Sequence, residues 1–558
     1  MIEGMPEMVC CRSFGRAVAL LATLVVGTSA HPLERNSAAQ DDYRLWDFAL
    51  ALSADSMEGR GTGTPGGEKA ARYIASQLEE FGLEPLGEEG TWFQNVPLHG
   101  SIPLEETRFH LNLPDSAVDL ALGRDFLLYT TGAKTLIPIP VPVVFVGYGI
   151  VAPEYDYNDY QNLDVEGSIV VFLSGEPASS EETYFDGSYA TAHAHPETKQ
   201  RVALSRGAVG SMLIPSEVDY PDRPWDEWSA MFSFEHMTLP YDLPRRLDML
   251  INPEAAELLF RGSEYSLAEV LAMAKGGEIR SCALSAAASF QGRFRERGLV
   301  SPNVIGVLRG SDRLLRESYV ILSAHYDHLG IGAPVEGDSI YNGFVDNALG
   351  CAAVLEIART LSARDDPPLR SIIFLFSTAE EVGLLGSHHY CANPRVPVHE
   401  TIANLNVQGL AIFDTFNEII GVGSEHSTLG EAIESVAAGS GLSVGAIPLA
   451  LHPQESFARS DQFAFALAGI PTTLLVEGMQ YRNHSSAEGL QAFIRWGEER
   501  YHTPFDDADQ PVDRNAVAQH FEVVRSLVVE LANTFRPPQW HRGVPYVNAR
   551  LRSIAEGR

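Results

Sequence analysis

Four short segments carry side chains that could do chemistry together. His325-Tyr326-Asp327, Asp346-Asn347, Glu380-Glu381 and His502 offer imidazole nitrogen and carboxylate oxygen. That is the donor set zinc takes, and a catalytic zinc site keeps a position for water. Two metals roughly 3.5–4 Å apart need a shared ligand, and a carboxylate can bridge them with its two oxygens. Asp346 suits that role. The adjacent Glu380 and Glu381 can divide the labour: one ligates, while the other takes a proton from the attacking water. Asp327, two residues after His325, is placed to accept the imidazole's second N–H and fix the ring. A lone loop histidine is more often structural than a ligand. The argument therefore rests on where all four segments fall relative to the elements that hold them.

Those elements alternate. Apolar runs at 318–323, 371–377, 402–407 and 472–476 read as strands, and the stretches 348–361 and 512–535 read as helices. Apolar strands between helices imply a mainly parallel sheet covered on both faces. In such sheets ligands bind beyond the carboxyl ends of the strands. His325 and Asp327 follow the first strand, Glu380 and Glu381 the second, Asp346 sits in a Gly-rich loop opening a helix, and His502 lies in a loop after the last strand. Upstream, residues 43–83 read as helix, then a turn at Gly59-Arg60-Gly61-Thr62-Gly63-Thr64, then a helix opened by Pro65 and ended by Gly82. From about 110 to 290 short β-rich runs with turn signals suggest an inserted, mostly β domain. The stretch 136–151 is apolar, but Pro138, Pro140 and Pro142 fit strands better than a helix. The tail after Arg536, with Pro537 and Pro538, reads as an extended strap.

Composition bounds the function. The chain has 558 residues, enough for several domains, and hydrophobic residues make up 45% of it, enough for a packed core. Its formal net charge is −33, with only Lys69, Lys134, Lys199 and Lys275 as lysines. An acidic surface repels phosphate backbones, so nucleic acid is excluded as a partner. Arg12 and Arg16 precede an apolar run at 17–26, and Thr28-Ser29-Ala30 supplies small residues at a cleavage position. Residues 1–30 thus read as a signal peptide, giving a secreted or periplasmic protein with no membrane span in its mature form. Beyond it remain Cys282, Cys351 and Cys391, so at most one disulfide can form.

Taken together, the motifs resemble peptidase family twenty-eight, the zinc aminopeptidase family that also includes carboxypeptidases and glutaminyl cyclases. The residues that carry the resemblance are Ala324-His325-Tyr326-Asp327-His328-Leu329-Gly330, Asn342-Gly343-Phe344-Val345-Asp346-Asn347-Ala348, Ala379-Glu380-Glu381-Val382-Gly383-Leu384-Leu385-Gly386-Ser387 and Tyr501-His502-Thr503-Pro504. The run from Met57 to Gly67 resembles an N-terminal signature of its larger bacterial members. Val144-Phe145-Val146-Gly147-Tyr148-Gly149 and the run from Asp164 to Val171 look like the protease-associated (PA) domain they carry. The resemblance implies a three-layer α/β/α sandwich, the zinc exopeptidase fold, with a mainly parallel mixed sheet and an inserted β-rich PA domain. The divisions are 31–110 and 291–536 for the peptidase domain, 111–290 for the insertion and 537–558 for the tail. It also implies peptide substrates and one or two zinc ions: one held by His325, a bridging Asp346 and a third carboxylate, the other by Asp346, Glu381 and His502. Glu380 would be the general base, and the Asp346–Asn347 peptide would be cis.

One position departs from that pattern. Where the family places the third carboxylate, this chain has Gln408, a neutral and weak zinc ligand. Three readings follow: a peptidase with a weakened first metal, a mono-zinc transferase resembling the cyclases, or a non-catalytic peptide-binding protein on a peptidase scaffold. Asp414 is a substitute only out of register. Around the site, His328 reads as support behind the ligands, Asp461 as support or a helix cap, and Cys351 as packing.

Overall fold

The computed structural model describes residues 43–557, apart from positions 130–135, 178, 180–183, 186–190, 192, 217–223, 241–246, 449–450 and 452. The signal-peptide reading of residues 1–30 and Lys134 lie outside the described residues. Among the described residues the chain divides into two compact units: one of Pro97–Val300 with Pro448–Glu455, and a second of residues 43–96, Ser301–Ile447 and the chain from Ser456 onward. The division therefore falls outside the expected 111 and 290. Both crossings lie within long strands, Phe93–Pro103 and Phe294–Leu308, which run on through Pro97 and through Gly298 and Pro302.

The second unit carries the chemistry-bearing segments. Its described elements include α1 (Leu45–Leu52), α2 (Pro65–Glu80), β1 (Phe93–Pro103), β2 (Phe294–Leu308), β3 (Tyr319–His325), α3 (Gly350–Ser362), β4 (Ser371–Ser377), α4 (Leu385–Ala392), β5 (Thr401–Asn406), β6 (Glu418–Val422), α5 (Leu429–Gly439), α6 (Gln462–Leu467), β7 (Thr472–Glu477), α7 (Ser486–Glu499), α8 (Arg514–Asn533) and α9 (Val547–Glu556). The strand order is β1-β2-β4-β3-β5-β7-β6. The four central strands β4, β3, β5 and β7 are parallel, while β2 and β6 flank them antiparallel. Ser371–Ser377 is buried throughout, as a strand covered on both faces must be. One face packs Val320, Leu322, Phe374, Phe376 and Leu405 against residues of α1, α2, α3 and α8. The other packs Ile321, Ile373 and Leu375 against Tyr390 and Phe465. This is the three-layer α/β/α sandwich expected. Thr64 caps α2 by accepting from Gly67 N, the local reason the helix starts at Pro65.

The tail is not an extended strap throughout. Between Val547 and Glu556 no Pro or Gly interrupts the chain, and α9 forms there. Its Arg550 donates to the carbonyls of Val398, His399 and Thr401 at 2.8–3.0 Å, which ties it to the peptidase unit.

The inserted unit is an eight-stranded mixed sheet with helices Pro196–Ser205, Trp225–Met231, Pro253–Leu259 and Leu267–Lys275, so it is less purely β than its turn-rich sequence suggests. Leu267–Lys275 starts at a capping box of Ser266 and Glu269. The proline-rich stretch is indeed a strand, Leu136–Phe145, and its pairing with Cys282–Gln291 slips register twice, as prolines without N–H groups require. Gly147 has φ +55°, and a Cβ there would lie 2.4 Å from Asp159 Oδ1. That carboxylate accepts from Tyr148 N, Ile150 N and the Tyr157 hydroxyl. Among the described residues Cys282, Cys351 and Cys391 are free thiols, and no helix is long and apolar enough to cross a membrane.

In the peptidase unit, buried His520 joins α8 to the sheet. Its Nδ1 accepts from Ala411 N at 2.9 Å, and its Nε2 donates to Leu475 O at 3.1 Å. Burial pushes its pKa down to about 4, whereas an unfolded histidine charges near 6.5. The unfolded chain therefore binds an extra proton between these values. The ring's contribution is full above pH 6.5 and is lost as pH falls toward 4, by about 3 kcal/mol. Urea midpoints of wild type and His520→Asn at pH 7 and 4.5 should show a smaller acid-dependent loss in the variant; parallel losses would refute this account.

Candidate metal centre

The centre lies at the carboxyl ends of β3 and β4. β3 ends in His325, fully buried, and the chain then turns so that the ring's Nδ1 faces the backbone carbonyl of Asp327 at 3.1 Å. The Asp327 carboxylate stands 3.9 Å from that nitrogen. It accepts instead from Thr62 Oγ1 at 3.0 Å, Glu380 N at 3.1 Å and Glu381 N at 3.4 Å. The expected partnership of Asp327 with the imidazole is thus corrected. Parallel pairing of β3 with β4 sets the 378–381 turn beside Asp327, so its carboxylate organises the two glutamates while its carbonyl orients the ring.

The loop bearing Asp346 is held from three sides. Gly343 adopts φ +58°, where a Cβ would lie 2.3 Å from Asp346 O and 2.5 Å from the His328 ring. Only glycine fits. The carboxylate of Asp506 accepts from Val345 N at 2.9 Å and Asp346 N at 3.0 Å. Asn347 donates to Val407 O and accepts from Gly409 N. The Asp346–Asn347 peptide is cis. Behind both loops the buried Arg60 guanidinium donates to the carbonyls of Leu52, Tyr326, Asn342 and Gly343 at 2.6–2.8 Å.

The side chains converge. His325 Nε2 lies 3.4 Å from Asp346 Oδ1, and His502 Nε2 lies 3.3 Å from Asp346 Oδ2 and 3.0 Å from Glu381 Oε2. His328 Nδ1 lies 2.6 Å from Glu381 Oε1 and 3.9 Å from Asp346 Oδ2. His328, Asp346, Glu381 and His502 can each offer one ligand atom within 4.8 Å of the others. Burial acts to raise Asp346 and Glu381, but the imidazoles win: His325 and His502 hold Asp346 well below the usual carboxylate range, and His502 and His328 hold Glu381 down at about 2. Burial would lower His325 and His502, yet the facing carboxylates raise both well above the ordinary value. Glu380 goes the other way, held well above the usual range by burial and by Asp461, Glu381 and Asp346, against the pull of His325.

These residues fit a divalent cation. Buried polar atoms left without a hydrogen-bond partner include His325 Nε2, His328 Nε2, both Asp346 oxygens, Glu380 Oε1 and His502 Nε2. Natural interiors rarely leave such atoms unsatisfied, and a cation with a hydrated face gives them partners. The nitrogen and carboxylate donor set suits zinc.

Of the residues expected at the site, His325, Asp346, Glu380, Glu381 and His502 come together, and Asp327 lies directly beneath. Gln408 sits half-buried on the loop after β5, between the Val407 and Gly409 backbone groups that Asn347 engages. Asn406, at the end of β5, bonds Ser323, Ser460 and Gln462. Asp414 accepts from Asn483 and His484. Asp461 is bound by the hydroxyls of Ser377 and Ser387. Cys351 is buried and donates to His325 O. Arg60, Thr62 and Asp506 were not singled out as site residues from the sequence. Asp506, four residues past His502, carried a weak signal as an acid near a ligand; Arg60 and Thr62 carried only their place in a turn motif.

Residues 303–528 match Peptidase family M28. Endoplasmic reticulum metallopeptidase 1 of Mus musculus is 28% identical over 200 residues, 35% of this chain and 18% of that protein. Leupeptin-inactivating enzyme 1 of Streptomyces exfoliatus is 28% identical over 243 residues, 41% of this chain and 49% of that protein. The chain thus spans half or less of the length of these curated relatives. The solved aminopeptidase from Aneurinibacillus sp. strain AM-1 superposes with TM-score 0.51 and 18% identity, over 90% of this chain and 95% of that one, a likeness of fold.

Asp506 gives a test of how the centre is held. Asp506→Asn keeps the shape but leaves one of two backbone donors without its acceptor. Zinc affinity should fall about 10–100-fold, as for other residues that orient ligands. Competition against a chromophoric chelator measures it, and an unchanged affinity would show that Asp506 does not position Asp346.

Proposed function

Since residues 303–528 form a domain of peptidase family M28, we propose that this chain is a zinc-dependent exopeptidase of the aminopeptidase type with Glu380 as its general base. One observation carries the reading: imidazoles and carboxylates meet in one buried spot at the carboxyl ends of parallel strands, and the unpartnered Oε1 of Glu380 stands among them. A bound zinc ion polarises a peptide carbonyl and makes water a better nucleophile.

The chain's own residues supply the rest. Asp346, Glu381 and His502 would hold the cation, and His325 stands against the second oxygen of Asp346. Glu380 takes a proton from water as the water oxygen bonds to the carbonyl carbon. When the C–N bond breaks, Glu380 returns that proton to the leaving amine and is again a carboxylate. Its buried, acid-rich surroundings keep it basic enough for the first transfer. Asp327 anchors the Glu380 and Glu381 amides and so aims both carboxylates. Gln408, standing in place of a carboxylate, would leave a first metal position weak or empty. Peptides with a free N-terminus are the substrates. The inserted unit reads as PA-like on its Gly147-Tyr148-Gly149 turn, and the apolar run at 17–26 supports export to the periplasm or beyond.

Glu380→Gln should lower kcat about 10²–10⁴-fold with metal content unchanged. Assays on aminoacyl, N-blocked and N-terminal glutaminyl peptides test the specificity. Equal hydrolysis of blocked peptides would refute the aminopeptidase reading, cyclisation of the glutaminyl peptide would favour a transferase, and full activity in the variant would remove the proposed base.

A further inference from the structure

We propose that His328 is a metal ligand, and that the chain binds one tight zinc in the set His328, Asp346, Glu381 and His502 rather than a pair of ions shared through His325. The proposal rests on the zinc reading above and goes beyond it in naming the ligands and the stoichiometry.

Three observations carry it. First, zinc–nitrogen and zinc–oxygen bonds of about 2.0–2.1 Å in a tetrahedral site put ligand atoms roughly 3.3 Å apart. One ligand atom from each of the four residues lies within 4.8 Å of the others; His502 Nε2 is 3.3 Å from Asp346 Oδ2 and 3.0 Å from Glu381 Oε2, and His328 Nδ1 is 3.9 Å from Asp346 Oδ2 and 2.6 Å from the other Glu381 oxygen, Oε1. Four side-chain ligands fill a tetrahedral shell, so water would enter only as the ion expands to five-coordinate, which catalytic zinc does.

Second, the His328 ring is fixed in place. Its amide N donates to Arg60 O, its backbone bridges to Gly61, and Gly343 lacks the Cβ that would strike the ring 2.5 Å away. The ring meets that of His502 edge-on, with centroids 5.6 Å apart. A histidine held this closely against two carboxylates and a second imidazole loses little entropy on binding an ion.

Third, the His325 side of Asp346 is poor in ligands. His325 Nε2 faces Asp346 Oδ1 at 3.4 Å, and its Nδ1 is taken up by Asp327 O. The Asn406 amide is taken up by Ser323, Ser460 and Gln462, and the Asp461 carboxylate is bound by Ser377 and Ser387. Glu380 is the remaining neighbouring acid, and its role is proton transfer.

The test uses the full chain, stripped of metal and reloaded with zinc or cobalt(II). Elemental analysis counts equivalents. Proton NMR of the cobalt form counts ligated imidazoles, because each keeps one exchangeable N–H that is hyperfine-shifted. The expected result is one tight equivalent and two shifted N–H signals, from His328 and His502. His328→Ala and His328→Gln should each lose one signal and weaken zinc binding by about 100-fold or more, whereas His325→Ala should keep both signals and stay within about 3-fold of wild-type affinity. Two tight equivalents, or loss of a signal in His325→Ala, would overturn the proposal. Retention of both signals in the His328 variants would overturn it too, reducing His328 to a hydrogen-bond support for Glu381. These outcomes leave the peptidase reading standing; failure to bind any metal would sink both. Having both His328→Ala and His328→Gln keeps the assignment decidable if one of them does not fold.

Discussion

A carboxylate buried away from water is tolerable only when other groups answer its charge, and Asp346 is the place where this chain meets that constraint. Both of its oxygens are enclosed, one facing His325 and the other His502. Around it stand Glu380, Glu381, Asp327 and Asp506, all buried. Five acids so close would repel one another strongly in a low-dielectric interior. The imidazoles offset part of this, a bound cation would offset more, and Asp327 and Asp506 are tied down by backbone N–H groups.

Much of the surrounding structure serves that arrangement. Asp506 takes two amides of the Asp346 loop, and Asp327 takes the amides of both glutamates. Arg60 adds a positive charge without a direct carboxylate partner, spending its hydrogen bonds on four carbonyls from three separate segments. Those bonds hold the chain at Tyr326 and at Asn342-Gly343 against the end of α1. Glycines appear where loops must come closer than a side chain allows, as at Gly343 under the His328 ring. The sheet contributes direction: parallel pairing of β3, β4 and β5 delivers their carboxyl ends to one edge, so segments far apart in the sequence deposit ligands side by side.

The sequence was informative where chemistry is local. Strands such as Ser371–Ser377 declare themselves by an unbroken apolar run, and Thr64-Pro65 announces a helix start through its own capping group. The residue types at His325, Asp346, Glu380, Glu381 and His502 were legible because zinc chemistry restricts them to imidazole and carboxylate. It was less informative about the inserted unit's limits and the tail. There, the Pro97 and Pro302 where the units part sit inside long strands rather than at turns, and two prolines masked a helix that starts nine residues after Pro538.

What the sequence determined alone was therefore the layered α/β plan and the donor set, since both follow from side-chain period and ligand type. Only the tertiary structure decided which atom of each residue does what. Asp327 offers its carbonyl to His325 and its carboxylate to two amides, and His328 turns its Nδ1 toward Glu381. Such assignments depend on differences of about an ångström and on the direction of a single turn, and these are set by segments hundreds of residues apart closing on one another. No spacing along the chain encodes that distance.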